Sequence, residues 1–188
     1  MNKKQGFRPV TLVIVLAVLL GVGYVVYIKL GTAQRNSLTV EQVKNATYDF
    51  SPDGLGPVTF KDANYLRKVN EGTPMEFGVF AEILGDSDIA LGDFTGDGNG
   101  DAVAFVYENS GGGNGSTAYL VALENVNGVP RQMEKFSIDG SNAVLEQLSI
   151  KDGEILLTAL VHKPEDGRCC PTLRKDFRFR VTNGKLTK

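Results

Sequence analysis

"GDFTGDGNGDAVAFVY", Gly92 to Tyr107, contains the change of character on which the fold turns. Its first ten residues are aspartates and glycines around one Phe, one Thr and one Asn. Its last seven, "DAVAFVY", are almost wholly apolar. A short apolar run bounded by turn residues is a strand buried on both faces, not one with a wet side. "TAYLVAL", Thr117 to Leu123, is a second such run, and the glycine-rich "NSGGGNGS", Asn109 to Ser116, joins the two. These two strands are expected at the centre of a sheet.

The segments around them alternate. In "EFGVFAEIL", Phe77, Val79, Ala81 and Ile83 fall on one face and Glu76 and Glu82 on the other. In "KDFRFRV", Phe177, Phe179 and Val181 oppose Arg178 and Arg180. Period two of this kind marks half-buried strands. "QMEKFSI", "VLEQLSI" and "EILLTALV" read likewise. "VNG" at 126–128 and "KDG" at 151–153 supply hairpin turns, and "NGKL" closes the chain. "PVTFKDANYLR", Pro57 to Arg67, is expected to be a hairpin turning at Lys61 to Asn64. "TVEQVKNATY" is the one helical stretch: Thr39 caps it and Gln42 occupies the capping-box position. Eight or nine short strands with Gly, Asn and Asp turns predict a mainly β, antiparallel domain over 39–188. A sandwich and a curled sheet against the short helix both remain open.

The N-terminus has a different composition. Residues 1–9 carry Lys3, Lys4 and Arg8 and no acid. Val10 to Ile28 contains no charged residue; as a helix it would span roughly 28 Å, the thickness of a bilayer core. Tyr24, Tyr27 and Lys29 suit the far interface. The expectation is a single-pass anchor at 10–28, a cytoplasmic 1–9, a linker at 29–38 and an exported C-terminal domain, periplasmic or at the cell surface. A cleaved signal peptide competes, with "GTA" at 31–33 as a weak cleavage site.

The net charge of -2 suggests no polyanionic partner, and neither a basic aromatic stripe nor a Rossmann fingerprint points to nucleic acid. Val69 to Pro130 has ten acidic residues and no Lys or Arg; Lys163 to Lys188 has eight basic and three acidic. Charge complementarity between these stretches within the fold is the expectation.

Counting Asp93 as position 1, Thr95 is 3, Asp97 is 5, Asn99 is 7 and Asp101 is 9, with Gly98 at the sharp turn. This spacing gives side-chain oxygens plus one carbonyl, as hard Ca²⁺ requires. Position 12 is Ala104, where an EF-hand needs a bidentate Glu, so the loop is not an EF-hand. "DFTGDGNGD" resembles the calcium loops of integrin-type FG-GAP repeats and of dockerins. The resemblance implies side-chain ligation by Asp93, Thr95, Asp97 and Asp101 and carbonyl ligation by Asn99, with Asn99 a departure from the aromatic common there. A single copy does not imply a propeller. The chain also resembles a loosely defined group of uncharacterised exported bacterial proteins, through Gly92–Ala102, Ser110–Thr117, Tyr119-Leu120 and the late "CCPT", Cys169–Thr172; that resemblance implies no activity.

Cys169 and Cys170 are the only cysteines. A vicinal disulfide, two buried thiols and intermolecular pairing are the alternatives; a vicinal bridge would act as a rigid kink, a binding plate or a redox element. His162, the only histidine, lacks zinc spacing and is expected to be an ordinary strand-end residue. The expected function is a membrane-anchored, calcium-stabilised, non-enzymatic binding or envelope-associated module with a protein or envelope-polymer partner. The alternatives are an envelope-polymer hydrolase with paired carboxylates and a redox role for the cysteine pair.

Overall fold

The computed structural model describes residues 37–188 apart from 112–114, 168 and 183–184, and the side chains of 139–141 are also outside the description. The expected cytoplasmic segment 1–9, the anchor 10–28 and nearly all of the linker fall outside the described residues. Among the described residues no helix is long and apolar enough to cross a membrane.

The domain is mainly β, with antiparallel sheets and one short helix, α1 (Val40–Lys44). Thr39 caps α1: its Oγ1 accepts from the Gln42 N–H, and the Gln42 side chain accepts from the Thr39 N–H, completing the capping box. The helix stops sooner than "TVEQVKNATY" suggests, because Thr47 to Asp49 already form a strand.

That strand, β1 (Thr47–Asp49), pairs only with β2 (Pro57–Thr59). The central sheet contains β3 (Asn64–Val69), β4 (Phe77–Glu82), β6 (Asp101–Asn109), β7 (Thr117–Val126) and β8 (Val129–Ser141), in that order. β5 (Ile89–Gly92) shares one edge of β6 with β4: β4 pairs with Tyr107–Asn109 and β5 with Asp101–Ala104. A third sheet runs β12 (Lys185–Thr187), β11 (Leu173–Thr182), β10 (Glu154–Val161), β9 (Val144–Lys151). The turn at Lys61 to Asn64 is where the sequence places it, and a bridge joins those two residues. The hairpin itself is not formed, because β2 joins β1 and β3 joins β4. Phe60 and Ala63 are buried at this crossing between sheets, so core packing overrides the local pairing.

β6 and β7 are buried on both faces, as their composition predicts. Period two explains how. Ala102, Ala104 and Val106, with Val121 and Leu123, pack in one cluster with Val43, Tyr48, Phe50 and Phe60. Val103 and Phe105, with Leu120 and Ala122, pack in another with Ile155, Leu157, Ala159, Phe177 and Phe179. The central sheet therefore lies between the third sheet on one side and α1 with the β1–β2 pair on the other. At β11 the alternation holds: Phe177 and Phe179 are buried, Arg178 and Arg180 exposed.

The layers are tied at specific points. Gln132 of β8 stands in for a backbone partner of β1: its Oε1 accepts from the Asp49 N–H at 2.8 Å and its Nε2 donates to the Asp49 carbonyl at 2.9 Å. Gly92 packs against Ile150 of β9, where a Cβ would meet Ile150 Cγ2 at 2.9 Å. Charge pairing is more local than expected. Lys44–Asp86, Lys68–Glu76 and Arg131–Glu124 pair three acids of the acidic stretch, while Arg174–Glu146, Arg178–Glu154 and Arg180–Glu154 pair three bases of the basic one. Among the described ion pairs none joins the two stretches.

Candidate functional site

The acidic loop runs from Gly92 at the end of β5 to Asp101 at the start of β6. These strands pair with Gly92 opposite Asp101, so the loop is the closed end of a hairpin. Gly96 (φ 79°) and Gly98 (φ 88°) take the left-handed backbone conformation that glycine permits at least cost, and this curls the chain over its own carboxylates.

Asp101 is 1% exposed. Its Oδ2 accepts from the Phe94 N–H (3.2 Å), the Thr95 N–H (3.0 Å) and the Thr95 hydroxyl (2.9 Å); its Oδ1 accepts from the Asn125 N–H (2.9 Å). Burial pushes its pKa up, and those four donors oppose the rise. Asp93, half-buried, accepts from the Gly96 N–H at 2.6 Å and the Gly98 N–H at 2.9 Å, one on each oxygen. Asp97, exposed, accepts from the N–H and the side-chain amide of Asn99, which hold its pKa down.

The five residues that the spacing selects therefore share one loop, and Thr95 stands between Asp93 and Asp101. Its hydroxyl oxygen lies 2.9 Å from Asp101 Oδ2 and 3.5 Å from Asp93 Oδ1. A hydroxyl carries one proton and can serve only one of these carboxylates at a time. The donor chemistry, carboxylates with a hydroxyl, suits a hard cation. The arrangement is that of a loop closed on its own donors. Among the described residues no group of three or more His, Cys, Asp or Glu is arranged to hold a metal ion. Asp93 and Asp97 keep lone pairs to offer; Asp101 is the most fully occupied of the three.

Three buried or close-packed residues escape the sequence reading, two at the loop and one at the other end of β6. The first is Asn125, buried at the end of β7. It donates its backbone N–H to Asp101 and its Nδ2 to the Gly100 carbonyl, while its Oδ1 accepts from the Gly128 N–H. The second is Gly100. Ser37 bridges to it in parallel, and the Leu38 N–H donates to its carbonyl at 2.9 Å. A Cβ there would lie 2.5 Å from Ser37 Oγ and 3.0 Å from Ser37 Cα. The third is Glu108, buried at the far end of β6. Its Oε1 accepts from the Leu55 N–H, Ser110 also bonds it, and burial raises its pKa. Only the "VNG" turn hints at the first; nothing in the sequence marks the other two.

Cys169 and Cys170 are joined to each other, with Cα atoms 3.8 Å apart. Asp166 organises the loop before them by accepting from the Lys163 N–H and from the N–H and hydroxyl of Thr172. His162 is half-buried at the end of β10, and its Nε2 has no hydrogen-bond partner. Among the described residues, Asp176, Glu82 and Glu124 each line a different surface hollow. Compared with protein-family models, with curated proteins and with solved structures, the chain matches none.

Proposed function

We propose that this chain is a single-pass membrane protein displaying a non-enzymatic β-module outside the cytoplasm, with Ca²⁺ as a structural ion in the 92–101 loop. The membrane part rests on the charge-free run at 10–28 and the basic residues before it. The calcium part rests on one observation: the carboxylates of Asp93 and Asp101 face each other across the single hydroxyl proton of Thr95. A cation would relieve that repulsion. Asp93, Asp97 and Thr95 would hold it through side chains and Asn99 through its carbonyl, with Asp101 at the inner edge.

The ion's role is to brace. The loop supports Leu38, which is 2% exposed, through Gly100, and β7 through Asn125. With no bidentate Glu, affinity belongs in the weak extracellular range of about 10⁻⁴–10⁻³ M. The partner is a protein or an envelope polymer, not nucleic acid. The hydrolase reading needs two facing carboxylates about 5–9.5 Å apart. Thermal unfolding of the full chain in detergent tests the reading. Calcium about 100-fold above its Kd should add roughly 2.7 kcal/mol over EGTA, and Asp97→Ala should abolish the gain. Superimposable curves with calcium and with EGTA sink the calcium assignment.

A further inference from the structure

At the opposite end of β6 from the acidic loop, a hollow of about 420 Å³ opens where the central and third sheets meet. This is within the range of small-ligand sites. Glu82 from the end of β4, Tyr107 from β6, Ser116 at the entry to β7, Val144 at the start of β9, Leu84 and Cys169 contribute to its lining. Hydrogen bonds fix part of the wall: the Ser116 N–H donates to Asn142 Oδ1 at 3.0 Å and the Asn142 N–H to the Ser116 carbonyl at 2.7 Å.

Two features of this hollow are unexplained by folding. Leu84 and Val144 are 65% and 44% exposed, so an apolar strip is left in solvent beside the Cys169–Cys170 disulfide. Glu82 is half-buried, and among the described residues its carboxylate makes no hydrogen bond and no ion pair. Val69 to Pro130, which supplies Glu82, Leu84, Tyr107 and Ser116, contains no Lys or Arg. A second carboxylate, buried Asp88, acts on Tyr107 along with Glu82.

We propose that this hollow binds an alkylammonium group, an aliphatic chain ending in a protonated amine. The Glu82 carboxylate takes the ammonium, with the Tyr107 hydroxyl beside it. Leu84, Val144 and the disulfide receive the methylenes. The other ligand classes fit less well. Among the described residues of this lining an anion finds no cation. A hard divalent ion wants six or more oxygens, and one carboxylate among aliphatic groups does not supply them. A quaternary ammonium is held by a cage of aromatic faces, and Tyr107 is the only aromatic in the lining. Free diamines and lysine side chains share the proposed chemistry. The proposal does not depend on calcium at the acidic loop.

Calorimetric titration of the full chain in detergent tests it, with 1,5-diaminopentane, 1,5-pentanediol and Nα-acetyl-lysine methylamide as probes. The amines should bind saturably and the diol should not. Glu82→Gln should weaken amine binding about tenfold or more, because a charge-assisted hydrogen bond is lost, with unfolding unchanged. Leu84→Ser, at an exposed position where folding is not at stake, should weaken it less. Saturable binding of either amine supports the site, and the tighter one names the source. Equal binding of diol and diamine, undiminished binding by Glu82→Gln, or no saturable binding of either amine overturns it.

Discussion

Single carboxylates in this domain do opposite things according to their depth. Asp101 replaces solvent for three backbone N–H groups and one hydroxyl, so Asp101→Ala strands buried donors. It should cost about 3 kcal/mol in urea unfolding, against less than about 1 kcal/mol for exposed Asp97→Ala without calcium. Burial raises the pKa of Asp88, Asp101 and Glu108, so the folded chain keeps their protons where the unfolded chain has lost them. Their contribution to stability is present below the unfolded values and is lost as pH rises through the raised folded ones. Exposed Asp49, Glu76 and Asp97 are held down by hydrogen bonds; their contribution is present at higher pH and is lost as pH falls through the lowered values. Glu108→Gln keeps an acceptor for the Leu55 N–H and removes one charge from the core. Its unfolding free energy should therefore decline less than that of the parent as pH rises from about 4.5 to 7, the window above the ordinary glutamate pKa. Parallel declines in both proteins would show that Glu108 is not the group responsible.

At the scale of elements, the acidic loop is a junction. Gly92 admits Ile150 on one side and Gly100 admits Ser37 on the other, so the loop sets the approach of β9 and of the segment before α1. Gly100→Ala places a methyl against Ser37, and displacing Leu38 from the core should cost about 2 kcal/mol. Hydrogen exchange at the Leu38 amide, now bonded to the Gly100 carbonyl, should speed up in step. An unchanged Leu38 amide would mean that the segment tolerates the methyl. Much of this level was legible beforehand. The apolar runs put β6 and β7 in the middle, and turn pairs such as Asn127-Gly128 and Asp152-Gly153, all with positive φ, mark two hairpins. The grouping of Asp93, Thr95, Asp97, Asn99 and Asp101 was legible because their contacts are local. The share taken by Asn125, Gly100 and Ser37 was not, because those contacts join positions far apart in the chain. The 57–67 segment failed for a related reason: a turn signal fixes where the chain reverses, not which sheet each arm joins.

The described domain is three layers about a doubly buried sheet, and its stability lies in those two interfaces. The Cys169–Cys170 bridge encloses no chain, so it restricts the unfolded state very little. Reduction should shift the unfolding free energy by less than about 1 kcal/mol. A large loss on reduction would mean that the bridge supports the fold and not merely the hollow beside it. The charge asymmetry of the sequence persists here as two regions whose described ion pairs are local, and among the described residues the Glu82 hollow has no cation in its lining.

The parallel bridge from Ser37 to Gly100 also bears on mechanics. Among the described residues Ser37 and Leu38 are the first to pair with the rest of the domain, so a pull applied at that point loads their contact with Gly100. Parallel pairing there puts the load in shear along the contact, with a buried leucine as the bolt. Whatever stiffens residues 92–101 would then raise the force at which this fastening slips, before either sheet is strained.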